Sequence, residues 1–293
     1  MAALPQVARI SLKDILFPTD FSPASEAALR FALMLARVYG SRLHVAHVIL
    51  PESHPQVLSP KLSQEVDAWD DANERLDELA HHPSIGIIHC TSLLASGDLE
   101  EVIPGLIQEH NIDLVVLGTR GRRGVSRIML GSSAERIYRS APCPVLTVGP
   151  RVRVAQWQLR RILCPVDLEG NPEPALQYAL SLASDQESEF MVLNAVPMVP
   201  WQHRADVEKH ARARMLSLIH EENSDAALVE VQLLVRWESP AEAILQCAVD
   251  REIDLIVMGA RKSRAAGLSS HLPWPVASEV VSRAPCPVLT VRI

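Results

Sequence analysis

The sequence predicts an α/β fold made of two tandem domains, each a doubly wound parallel sheet with helices on both faces. Three observations carry that prediction. Short runs rich in Val, Ile and Leu alternate with segments of helical period. The runs are nearly continuous in apolar residues, as strands buried on both faces are. The whole alternation occurs twice along the 293 residues.

In the first half the apolar runs are DILFPTD (14–20), RLHVAHVIL (42–50), SIGIIHCTSLL (84–94), DLVVLG (113–118) and PVLTV (144–148). Each is bounded by turn residues and predicts a strand. Between them, 25–40 places apolar residues at i, i+3 and i+4 and closes on Gly40, the signature of an amphipathic helix with a glycine cap. Residues 63–80 form an acidic helix whose charges, concentrated over 65–78, read as a solvated face. Asp98 is a candidate N-cap for the third helix, and Ser239 followed by Pro240 is its counterpart in the second half. Pro104 inside the third helix removes a hydrogen bond and predicts a kink. Strands alternating with helices give βαβ units, and right-handed crossovers restrict them to an open doubly wound sheet.

The second half repeats the first. Pro18, Asp20, Leu29 and Ala36 recur as Pro165, Asp167, Leu176 and Ala183, and APCPVLTV stands letter for letter at 141–148 and 284–291. NIDLVVLG (111–118) returns as EIDLIVMG (252–259). The domains are therefore expected over 1–150 and 151–293, joined near GPRVRVAQWQ (149–158).

Composition narrows the function. The formal net charge is −7, without a basic arm, which makes nucleic acid an unlikely partner. The N-terminus lacks the pattern of a signal peptide, and no apolar run is long enough for a membrane span, so a cytoplasmic protein is expected. Five scattered cysteines suit a reducing compartment, with Cys143 and Cys286 expected as core or interface thiols. No HExxH or CxxC spacing occurs, and His44 and His47 point to opposite faces of one strand, so no dedicated metal site is predicted.

The chemistry concentrates in GTRGRRGVSRIMLGSS (118–133), a long loop with four glycines and four arginines between a predicted strand and a predicted helix. In open parallel sheets, ligands bind beyond the carboxyl ends of strands where the strand order reverses. If the first and fourth strands are neighbours, Asp20 and this loop share one crevice. Glycines permit close backbone approach and positive-φ anion nests. Gly131, Ser132 and Ser133 precede a helix whose N–H groups favour phosphate oxygens.

Gly118-x2-Gly121-x9-Gly131-Ser132 resembles the nucleotide-loop signature of the ATP-binding universal stress proteins. FPTDFS, HVAHVI and APCPVLTV are similar to that family too, in both halves, so the chain resembles a tandem, Rossmann-like universal stress protein. The resemblance implies a regulatory, ATP-binding role in the stress response, with AMP or ADP as related ligands and Mg²⁺ or Mn²⁺ carried on the phosphates. It implies that Pro18, Thr19 and Asp20 border adenine and ribose, and that Val48 and Leu117 contact the adenine. Gly118, Gly121, Gly131, Ser132 and Ser133 would hold ribose and phosphates. Arg120, Arg122, Arg123 and Arg127 all fall outside the strict signature, and one or two of them, Arg120 first, are expected to meet the phosphates. The plainer readings are a solvated face for the arginines and a helix cap for Asp20, the latter compatible with a ligand role.

The second half keeps Asp167 but loses the loop. Lys262 replaces Gly121, and Trp274 and Pro275 align with Gly131 and Ser132. Proline has no N–H to donate, so residues 159–293 are expected not to hold ATP as the first half does. The family resemblance further implies pairing of final strands. With PCPVLTV present twice, the two halves are expected to form an intramolecular pseudo-dimer, and a homodimer of chains is a further option. No convincing general base appears, which sets slow ATP hydrolysis or phosphoryl transfer, and a nucleotide-independent scaffold, as the alternative functions.

Overall fold

A computed structural model describes residues 10, 12–50, 61–119, 130–152, 158–196, 200–222, 230–260 and 275–292. They fall into two compact units, one over Ser11–Leu146 and the other running from Thr147 and including Ile10.

In the first half the elements are β1 (Asp14–Pro18), α1 (Pro23–Tyr39), β2 (Arg42–Ile49), α2 (Lys61–Ala80), β3 (Cys90–Ser96), α3 (Leu99–Glu109), β4 (Leu114–Gly118), α4 (Ser132–Ser140) and β5 (Val145–Val148). The strand order is β3-β2-β1-β4-β5. Strands β1–β2, β2–β3 and β1–β4 pair in parallel. The order reverses between β1 and β4, so the switch point lies where the sequence placed it. Right-handed crossovers put α1 and α2 on one face and send the chain to the other face after β3.

The second half repeats this with β6 (Arg161–Pro165), α5 (Glu173–Gln186), β7 (Glu189–Ala195), α6 (Arg204–Glu222), β8 (Val231–Arg236), α7 (Pro240–Asp250), β9 (Leu255–Ala260), α8 (Pro275–Arg283) and β10 (Val288–Arg292). Its order, β8-β7-β6-β9-β10, matches the first strand for strand.

Helix boundaries follow local chemistry. Ser22 caps α1, its Oγ accepting from the Ser25 N–H at 3.3 Å. Gly40 ends α1 at φ +64, where its N–H reaches the Ala36 carbonyl. Asp98 caps α3 by accepting from the Glu100 N–H at 2.8 Å. Ser239 occupies the predicted cap of α7, but its side chain makes no cap bond. Helix α3 continues through Pro104 to Glu109. The predicted strand over 84–94 begins only at Cys90. Before it, Gly86 at φ +60 and an Ile88 N–H to Ile85 carbonyl bond turn the chain, leaving Ile87 fully exposed.

Each sheet buries its own apolar core, centred on Phe17, Phe31, Leu76 and Ile103 in the first half and on Phe190, Leu163 and Leu176 in the second. Arginines tie neighbouring helices by different pairs in the two halves: Arg136 to Asp98 and Glu100 between α4 and α3, and Arg283 to Glu242 between α8 and α7.

Candidate functional site

The crevice beyond β1 and β4 is built from strand ends and two helix starts. Pairing sets Pro18 opposite Ala46 and Leu16 opposite Val115. Alternation along each strand then puts Pro18, Val48 and Leu117 on one face of the sheet. Pro18 and Val48 are half-buried, and Leu117 is buried. Three residues expected around adenine therefore share a face.

Thr19 faces the other way. Its Oγ1 accepts from the Phe21 N–H at 2.9 Å, and its N–H goes to the Ala46 carbonyl. The side chain borders a cavity of about 230 Å³ lined by Phe17, Phe21, Leu29 and Arg75. The Arg75 guanidinium lies 4.2 Å over the Phe21 ring, and that ring packs 4.7 Å from His47. His47 and Val48 are consecutive on β2, so this cluster and the Pro18–Val48–Leu117 face lie on opposite sides of the sheet.

Asp20 organises the turn into α1. Its Oδ1 accepts from the Ser25 hydroxyl at 2.6 Å and from the Ser22 N–H at 3.0 Å. These bonds hold Phe21 at φ +57. Asp20 thus supports the helix start, the plainer of the two sequence readings, at the mouth of the crevice.

Gly118 serves packing. A Cβ built on it would stand 2.4 Å from the Ala24 carbonyl oxygen, so the first turn of α1 sits directly on this glycine. The glycine seats the Asp20–Ser25 turn against the end of β4.

The loop closes between Thr119 and Gly131, whose N–H donates to the Thr119 carbonyl at 2.8 Å. Arg120 and Gly121, with Arg122, Arg123 and Arg127, lie outside the described residues. Gly131 has φ −61, a conformation open to any residue, and its N–H is already used. The expected positive-φ nest is therefore not found at Gly131. What its missing side chain provides is an uncapped helix: Gly131 is the N-cap of α4, with no side-chain cap bond. Among the described residues no acceptor takes the N–H of Ser132 or Ser133, and both residues are exposed. Two donors and the positive end of a helix dipole are thus presented to solvent beside the switch point.

In the second half α8 begins at Pro275, the residue aligned with Ser132. Proline at the first helical position has no N–H to offer. Trp274 and Lys262 lie outside the described residues.

Among the described residues no three His, Cys, Asp or Glu side chains gather to hold a metal, and no helix is long and apolar enough to cross a membrane. Of the thiols predicted to be buried, Cys286 is 5 % exposed, whereas Cys143 is half-buried.

The fold and the crevice define a tandem α/β protein with an uncapped helix start at the switch point of its first half. Comparison with known proteins gives the family. The model of the universal stress protein family matches residues 11–149 and again 158–292. A universal stress protein of Mycolicibacterium smegmatis is 25 % identical over 290 residues, covering 95 % of this chain and 96 % of its own. One from Methanocaldococcus jannaschii is 31 % identical over 144 residues, covering 46 % of this chain and 81 % of its own. The crystal structure of a universal stress protein from Archaeoglobus fulgidus superposes with a TM-score of 0.71 at 22 % identity, covering 95 % of this chain and 98 % of that one. The chain belongs to the universal stress protein family, with two copies of its domain in tandem.

Proposed function

We propose that the first half binds an adenine nucleotide, ATP in the first instance, and that occupancy of this site regulates the protein's contacts in a stress response. The observation that carries the reading is the uncapped start of α4, whose Ser132 and Ser133 N–H groups have no acceptor among the described residues. Exposed backbone donors at a helix start are met by water in the free protein, and a phosphate can replace that water and satisfy several at once. The Pro18–Val48–Leu117 face supplies an apolar wall for a purine, and the Asp20 turn stands at its edge. Mg²⁺ or Mn²⁺, when present, would ride on the phosphates, since the described residues offer no carboxylate cage.

Regulation requires that the bound and free states differ in free energy toward a partner, so a ligand held by the 118–133 loop can act as a switch. The second half, with Pro275 at the helix start, is a structural counterpart without this phosphate site.

The test is direct. Purified protein is denatured, and released nucleotide is identified by mass spectrometry, then the same is done after incubation with ATP and Mg²⁺. Gly131→Trp, which imitates the second half, should lose the nucleotide while keeping the fold. Absence of nucleotide under both conditions, or equal retention by the variant, would overturn the reading. ADP accumulating with turnover would instead mark an ATPase.

A further inference from the structure

The amino end of the first sheet holds a histidine that the fold does not require. His44, on β2, is 5 % exposed, and its Nε2 lies 2.8 Å from Asp14 Oδ1. Asp14 is also buried, and its Oδ2 accepts from Arg42 at 2.7 Å. An ionised carboxylate only accepts, so Nε2 carries a proton, and in the neutral imidazole Nδ1 presents the lone pair. That Nδ1 is buried without a hydrogen-bond partner. An orphaned buried nitrogen is a cost to folding, and one that calls for an explanation such as an ion.

The second half acts as an internal control. Asp14 stands opposite Arg42 in the first sheet, and Arg161 stands opposite Glu189 in the second. The charges are exchanged, and the residue equivalent to His44 is Met191, which is 2 % exposed. An apolar side chain fills that position without an unpaired atom.

Next to His44 stands His110, the C-cap of α3, with ring centroids 5.0 Å apart and planes at 37°. The His110 ring makes no hydrogen bond among the described residues and is half-buried. A zinc ion about 2.1 Å from an imidazole nitrogen lies roughly 3.2 Å from the ring centre, so two imidazoles on one tetrahedral ion stand roughly 5 Å apart. The carboxylate on the far nitrogen of His44 is the usual support of a metal-bound histidine. A second carboxylate, Asp113, accepts the backbone N–H groups of Lys13 and Asp14 at the same end.

We propose that His44 and His110 form a two-imidazole site for a divalent transition cation of the zinc type, with Asp14 as the positioning carboxylate. Nitrogen donors select such ions over Mg²⁺ and Ca²⁺. No third protein ligand joins the pair among the described residues, so the remaining coordination positions fall to water or an exogenous ligand that enters from the half-buried His110 side. The site lies at the opposite end of the strands from the nucleotide crevice and is independent of it.

The experiment uses the full chain, stripped of metal and nucleotide, titrated with Zn²⁺ by calorimetry. One Zn²⁺ per chain is expected, with no competition from Mg²⁺. His110→Ala, at a half-buried helix end, should weaken binding at least about tenfold, as should His44→Met, which copies the second half. The double variant of His81→Ala and His82→Ala, at the exposed end of α2, should bind as the parent does. Failure to bind Zn²⁺, equal binding by His110→Ala, or loss only in the His81 and His82 double variant would overturn the assignment. Far-UV circular dichroism checks folding, and if His44→Met does not fold, His110→Ala decides alone.

Discussion

His47 Nδ1 donates to the Thr19 carbonyl oxygen at 2.8 Å, locking the second strand onto the end of the first. The second half makes the same link with another residue, Asn194 Nδ2 donating to the Val166 carbonyl at 3.0 Å. Both side chains satisfy a carbonyl that the sheet ladder leaves unused just where the crevice opens. His47→Asn should therefore keep the first unit's stability, whereas His47→Leu should cost about 1–3 kcal/mol, because the carbonyl is left unpaired. Urea unfolding of the two variants measures the difference, and equal losses would show that the bond contributes nothing.

Gly118→Ala should destabilise the first unit by about 1–3 kcal/mol, since its methyl group would press on the Ala24 carbonyl in the first turn of α1. Nucleotide affinity should fall with it, as the Asp20 turn is displaced. A thermal midpoint unchanged from the parent would mean that α1 shifts without penalty.

Asp14 carries a pH dependence. Burial pushes its pKa up, but hydrogen bonds and charge from Arg42 and His44 outweigh it and hold the carboxyl below its ordinary value. Its stabilising contribution is therefore complete above about pH 5 and is lost as pH falls through the ordinary carboxyl value toward the lower folded-state one. Asp14→Asn should flatten the fall in unfolding free energy between about pH 5 and pH 2. Parallel curves for parent and variant would remove Asp14 from the account.

Thiol reactivity should separate the cysteines. Burial drives the Cys164 and Cys286 thiols up to about 12, and Cys247 is raised as well, burial being the largest cause. The thiolate is the reactive form, so these three should resist a disulfide reagent at pH 8 in the native protein. Cys90 and Cys143, both half-buried, should react slowly, and all five should react after unfolding. Rapid native labelling of Cys164 would contradict its burial.

Much of this architecture is legible in the sequence, because its signals are local. Apolar runs, the Gly40 cap and the Asp98 cap each depend on a few neighbouring residues, and the duplication makes the strand signals appear twice. The switch point was expected on the condition that the first and fourth strands are neighbours, and β1 pairs with β4. What was hidden depends on contacts distant in sequence. SIGIIHC has a strand's composition, but Gly86 turns it before the pairing with Leu43 begins. That Gly118 also seats the first turn of α1 shows only once Ala24 is brought against it. Thr19 belongs to the signature stretch, yet its hydroxyl is drawn into the turn at Phe21. His44 and His110 are separated by two helices and a strand, and no spacing rule joins them.

The central claim is that the backbone donors at the start of α4 hold a nucleotide phosphate. Ser132→Pro tests it with least disturbance: proline is well tolerated at the first helical position, and it removes one donor, as Pro275 does in the second half. Calorimetric titration of the nucleotide-free full chain with ATP and Mg²⁺ should give one site per chain in the parent. In Ser132→Pro, with its unfolding midpoint unchanged, that site should be weakened about tenfold or more, as expected for a charge-assisted hydrogen bond of about 1.5–3 kcal/mol. Equal affinity in parent and variant, or no ATP binding by the parent, would contradict it.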